Sequence, residues 1–212
     1  METDFLSSLK SKDTDILVLE EPSTGFGFPD LVVLVYEKRI ADLWSCYRNQ
    51  LTNDDLRLLY YLNVNKKAKC LESLTFETGH TLKAINTSIN RLMNANLIRT
   101  TLDGRLKAKP LKELFFLQEI ISIEAKITDW KGAIQQTENN STFSSKSFSL
   151  FPSSLVSKNI ITAFKSRNLG LISFDEDYII QQRPTRRPIP SSFQSWIFNE
   201  YAGREVYGRQ TK

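Results

Sequence analysis

The stretch Ile120-Ile121-Ser122-Ile123-Glu124-Ala125-Lys126 limits what this chain can fold into. It is apolar and β-branched, has the length of a strand, and ends in a charged pair. Side chains two apart on a strand share a face, so Glu124 and Lys126 project together while Ala125 turns away. A core strand carries such a pair only with compensation, because burying either charge unpaired is costly. A second apolar strand, in Phe28-Pro29-Asp30-Leu31-Val32-Val33-Leu34-Val35, opens with an aspartate. If the two strands are neighbours, Asp30 and Glu124 can hold one divalent cation with Lys126 beside it. Such an arrangement suits metal-assisted hydrolysis of a phosphodiester.

Pro29-Asp30 on one strand and Glu124-Ala125-Lys126 on the next resemble the signature of the PD-(D/E)xK, or restriction-endonuclease-like, nuclease superfamily. The following segment, Thr128 to Gln136, is similar to the helix that follows the motif in many members and often carries a Gln. The resemblance covers roughly residues 1–40 and 115–183. It implies an α/β fold with a mixed sheet flanked by helices, and a DNA endonuclease that uses Mg²⁺ or Mn²⁺. In that reading Asp30 and Glu124 are metal ligands, joined by the backbone carbonyl of Ala125. Lys126 acts on the attacking water and on charge developing at the phosphate. Glu20 or Glu21 supplies a further acid, with Glu2 as another choice, and Gln135 or Gln136 reaches the site from the helix. The E-x-K triplet is short, and its weight comes from the strand positions, their order and the helix that follows. One departure is large: the halves of the motif stand 94 residues apart (124 minus 30), where the family commonly has a short hairpin.

The segment between them has its own character. Thr52 is placed to cap a helix whose first turn holds Asp54 and Asp55, with Leu56, Leu59, Tyr60 and Leu62 as its apolar face. A second helix is expected over about Lys67 to Phe76, with Gly79 marking a turn. A third begins near Thr81, with Leu82, Ile85, Ile89, Leu92 and Met93 on one face. Leu102-Asp103-Gly104 then joins two short strands. Three helices and a hairpin look like a winged helix-turn-helix domain over residues 51–109, inserted into a nuclease-like domain of residues 1–50 and 110–183. Residues 184–212 form a basic C-terminal arm, either packed on the core through Phe193, Trp196 and Phe198 or touching a partner.

Charge points the same way. Residues 52–109 hold ten Lys/Arg and five acids, a net +5 against +4 for the whole chain. The outer face of the third helix presents Lys83, Asn86, Thr87, Asn90 and Arg91, and the hairpin adds Arg105 and Lys107. These residue types suit contact with DNA in a groove and along its backbone. The plain alternative is a solvated face in a protein–protein module.

Chemistry is narrowed by what the chain lacks. A single histidine, His80, leaves no basis for a His/Cys zinc cluster or a Ser-His-Asp triad. Cys46 and Cys70 have no metal-ligand spacing and read as reduced and structural. With no signal-peptide pattern and no apolar run of membrane length, a cytoplasmic, DNA-associated protein is expected. The remaining segments read as a helix at Met1 to Lys10, a strand at Ile16 to Glu21, a helix through Ile40, Trp44, Tyr47 and Leu51, and a helix from Asp129 to about Asn139. A flexible Ser-rich link or turn at Ser141 to Ser147, a strand-helix-strand-strand series to Ile180, and a helix at Ser191 to Tyr201 complete the chain. A non-catalytic DNA-binding regulator stands as the alternative function. RNA as a substrate and a homodimer stay open.

Overall fold

The computed structural model describes residues 9–23 and 29–210. The helix expected at Met1 to Lys10 lies largely outside them, as do Glu2, Phe28 and the Gly25–Gly27 turn. By internal contacts the chain forms two units, residues 1–38 with 117–198, and residues 39–116 with 199–212.

The first unit is a mixed α/β structure. Strands β1 (Thr14–Glu20) and β2 (Leu31–Glu37) form an antiparallel pair, and β2 continues antiparallel to β5 (Leu117–Ala125). Strands β6 (Lys146–Pro152) and β7 (Gly170–Phe174) follow in parallel, and β8 (Tyr178–Gln182) closes the edge antiparallel to β7. The six-stranded order is β1-β2-β5-β6-β7-β8. Thus β2 and β5 are direct neighbours, with Leu31 opposite Ile123, although the 39–116 segment separates them in sequence.

Two helices connect the parallel strands, Trp130–Asn140 and Lys158–Ser166. Each begins on a side-chain cap: Asp129 accepts from the Gly132 N–H, and Ser157 from the Ile160 N–H. Their apolar residues Ala133, Ile134, Ile160 and Phe164 pack with Phe151 and Leu171 from one face of the sheet. The other face carries Val33, Ile121, Phe148 and Ile172. Gly170 begins β7 because no side chain fits there. A Cβ would stand 2.2 Å from the Phe148 ring. The turn after the preceding helix is made instead by Asn168, in the left-handed region at φ 57°.

In the second unit the single helix expected through Ile40 and Leu51 is two short ones, α1 (Ile40–Leu43) and α2 (Cys46–Asn49). The break falls at Trp44, which is extended (ψ 143°) and whose indole N–H donates to Asn49 Oδ1 at 2.6 Å. Helix α3 (Asn53–Asn65) opens with a reciprocal capping box: the Thr52 hydroxyl accepts from the Asp55 N–H, and Asp55 accepts from the Thr52 N–H. Helix α4 (Leu71–Thr78) starts later than the sequence suggests and ends at Gly79 (φ 70°). Helix α5 (Leu82–Asn94), capped by Thr81, buries Ile85, Ser88 and Leu92. Leu82 and Met93, expected on its buried face, are exposed. Strands β3 (Ile98–Thr100) and β4 (Leu106–Ala108) form a hairpin, and Lys69 bridges to Leu106. The short helix α6 (Leu111–Leu114) leads to β5.

The last helix, Phe193–Gln210, contributes residues to both units. It becomes α9 when the two helices of the first unit are numbered α7 (Trp130–Asn140) and α8 (Lys158–Ser166). Of its residues expected to pack on the core, Trp196 and Phe198 are buried. In the second unit Glu200 forms a bidentate pair with Arg48, at 2.5 and 3.0 Å, both side chains being buried. The Arg48 guanidinium also donates to the Leu114 carbonyl at 2.7 Å and lies 4.0 Å from the Trp44 ring centroid. These contacts place residues 39–50 and 110–116 with 51–109, so the unit is larger than the segment delimited from sequence.

Candidate functional site

In the antiparallel register of β2 and β5, Leu31, Val33, Ile121 and Ile123 share one sheet face, and Val32, Ile120 and Ser122 the other. Alternation puts Glu124 with Ser122, on the face covered by α7. Asp30, just before β2, comes to the same end: its Oδ2 accepts from the Ala125 N–H at 2.7 Å. Lys126 follows, with its N–H bonded to the Leu150 carbonyl at 3.0 Å and its Nζ 3.7 Å from Glu124 Oε2. Asp30, Glu124 and Lys126 thus meet at one end of the sheet.

Glu124 is 2% exposed. One carboxylate oxygen, Oε1, accepts from Asn140 Nδ2 at 2.7 Å; the other, Oε2, is buried with no hydrogen bond. Burial raises the Glu124 pKa above the ordinary carboxylate value, and the Asp30 charge adds to the rise. The Asn140 hydrogen bond and the Lys126 charge oppose it. The charge beside the oxygen without a hydrogen bond is that of Lys126 Nζ, 3.7 Å away.

The other expected members of the site fall elsewhere. Glu20 pairs with Leu31 in register, which puts it on the sheet face opposite Glu124. Glu21 is exposed, takes φ 44° and donates its N–H to the Asp30 carbonyl at 3.0 Å. Gln135 and Gln136 are both exposed, and Gln135 bonds Asn139 on its own helix. Helical geometry decides this: Ala133, Thr137 and Asn140 occupy the sheet-facing stripe at i, i+4 and i+7, so the helix reaches Glu124 through Asn140. Among the described residues no three His, Cys, Asp or Glu side chains cluster as metal ligands. Of the expected acids, Asp30 and Glu124 come together, and these two carboxylates could hold a hard cation that keeps several waters.

Asn140 belongs to a buried polar layer that runs into the Ser141 to Ser147 segment, expected as a flexible link or turn. Ser144 donates to the Asn140 carbonyl at 2.8 Å and shares hydrogen bonds with Ser147 and Ser122. Thr137 and Ser149 pair at 2.6 Å. Ser144, Ser145, Ser147 and Ser149 are all buried. Their hydroxyls satisfy one another between sheet and helix, which makes the segment a packed turn rather than a flexible link. Ser147 and Ser149 lie in β6, where their alternation with Phe148 and Leu150 leads one to expect a strand.

In the second unit, Lys83, Asn86, Thr87, Asn90 and Arg91 are exposed along α5, and Arg105 is exposed beside the half-buried Lys107 on the hairpin. Arg91 already holds Asp55, Nη1 to Oδ2 at 3.3 Å, and Arg105 holds Asp103 at 3.1 Å. Lys83, Thr87, Arg91 and His80 border a cleft of about 310 Å³ that Asp54 also enters. Cys46 and Cys70 are free thiols. Among the described residues no helix is long and apolar enough to cross a membrane.

No protein-family model, no curated protein and no solved structure matches the chain.

Proposed function

We propose that this protein is a metal-dependent DNA endonuclease of the restriction-endonuclease-like class, with a winged-helix unit supplying DNA contacts. The observation that carries the reading is the orphan Oε2 of Glu124, buried beside Asp30 and facing Lys126. The adjacency of β2 and β5 across a long insertion supports the fold assignment. The three helices α3 to α5, the hairpin and the Lys69–Leu106 bridge support the winged-helix assignment.

Asp30 and Glu124 would hold Mg²⁺ or Mn²⁺, each carboxylate oriented in advance by one hydrogen bond, from the Ala125 N–H and from Asn140. When bound, the cation supplies Lewis-acid polarisation of a phosphoryl oxygen. Lys126, about a third exposed at 29%, donates to the negative charge that develops as water adds to phosphorus and the ester P–O bond breaks. The attacking water loses a proton to solvent, and the leaving oxygen takes one from it. On α5, Lys83, Asn86 and Asn90 face the DNA, with Arg105 and Lys107 from the hairpin touching its backbone.

A second reading, a non-catalytic DNA-binding regulator, is favoured by one observation: among the described residues only two carboxylates meet at the site. Incubation with supercoiled plasmid and Mg²⁺ or Mn²⁺ separates them. Cleavage by wild type that is lost in Glu124→Gln supports the nuclease. Binding without cleavage in either metal supports the regulator.

A further inference from the structure

The second unit has a groove of about 430 Å³ between the C-terminal end of α3 and the β3–β4 hairpin. Four cations border it: Lys66, Arg99, Lys107 and Lys109. No acidic side chain lines it, and among the described residues none of the four forms an ion pair. The contrast with the α5 cleft is direct, since Asp54 enters that one and Asp55 holds Arg91 there.

One local feature makes the concentration of charge costly without an anion, and a second places a further cation at the groove. Arg99 and Lys107 stand directly opposite each other in the hairpin register. Like charges in that relation destabilise a strand pair. Lys66 closes α3 in the left-handed region, at φ 56°, a position where glycine is the relaxed choice. An anion in the groove would relieve the first of these and use the charge of both.

We infer that this groove binds the phosphodiester backbone of a DNA duplex, a second track of phosphate contacts besides α5. The inference rests on the DNA-binding reading above. The groove's lining holds no aromatic residue; single-strand sites characteristically stack bases on aromatic rings. A lining of cations without rings suits backbone contact that is indifferent to sequence. Lys66, Arg99 and Lys109 thereby join Lys107 as DNA-contacting residues.

The test is the salt dependence of binding to two unrelated duplexes of about thirty base pairs, with wild type, a Lys66→Ala/Arg99→Ala/Lys109→Ala variant and a Lys83→Ala variant. The groove variant should lower the slope of log K against log salt by roughly three, equally on both duplexes, and Lys83→Ala by about one. A Lys66→Arg/Arg99→Lys/Lys109→Arg variant should keep the wild-type slope. Without DNA, the groove variant should melt at or above the wild-type temperature, because the opposed charges are relieved. Should the triple variant fail to fold, Lys66→Gln/Arg99→Gln should show a slope lower by about two. Wild-type binding with an unchanged slope in the groove variant overturns the groove and leaves the DNA reading intact. Wild type that binds neither duplex overturns both.

Discussion

Asn140, in the last turn of α7, donates to Glu124 Oε1 at the end of β5 and leaves Oε2 of the same carboxylate bare. The first oxygen is held in place, and the second lies 3.7 Å from Lys126 Nζ without a hydrogen bond. Replacing Asn140 by Ala leaves a second buried oxygen without a partner. The expected cost is about 1–3 kcal/mol of stability, read by urea unfolding. An unchanged midpoint would mean the hydrogen bond holds nothing.

Glu124 gives a pH signature of definite sign. Its folded pKa is raised, so between the ordinary carboxylate value and the raised one the folded state binds more protons than the unfolded state. Its contribution to stability therefore falls as pH rises through that window and stays lost above it. Glu124→Gln should melt higher than wild type above the window, and Mg²⁺ should raise the melting temperature of wild type only. A variant that melts lower than wild type at pH 8 without metal contradicts the sign.

Lys126→Ala should slow plasmid cleavage about a hundredfold, comparable to removing a charge-stabilising donor, while DNA affinity changes little. Side-by-side cleavage rates and binding curves measure both. A matched fall in rate and affinity would assign Lys126 to binding instead.

On α5, Lys83 and Arg91 should behave differently although both are exposed cations. Arg91 covers the fully buried Asp55, whose Oδ1 already lacks a hydrogen bond. Arg91→Ala should lower the melting temperature, whereas Lys83→Ala should leave it unchanged and only flatten the salt dependence of binding. Equal melting temperatures for the two variants would show that the Asp55 contact contributes nothing.

The Arg48–Glu200 pair ties α2 to α9 within the second unit. Arg48→Met leaves Glu200 buried and uncompensated and should cost about 3–5 kcal/mol, and Arg48→Met/Glu200→Leu should recover most of it. Calorimetry of the single and double variants checks this. A double variant no more stable than the single would place the cost in the lost Trp44 packing.

The local elements were legible in the sequence because their signals are local. Thr52 is legible as a helix cap, apolar runs mark β2 and β5, and apolar alternation marks β6. Asp30, Glu124 and Lys126 could be singled out because charged residues at the ends of apolar strands are costly and hence informative. An α/β sheet followed from the order of these elements; its six-stranded order is read from the structure.

Tertiary structure alone decided the rest. Which Glu of the pair Glu20 and Glu21 could face Asp30 depended on strand register, and a one-residue shift changes the face. That α7 meets Glu124 through Asn140 rather than Gln135 or Gln136 depended on how the helix is rotated against the sheet. The serines at 141–147 have the composition of a link, yet they are buried because their hydroxyl partners lie on β5, more than twenty residues earlier. Arg48 and Glu200 are 152 residues apart, and nothing local to either marks the other. Periodicity and capping are written within one turn or one strand; register, helix rotation and long-range polar pairing are settled only when separate segments pack.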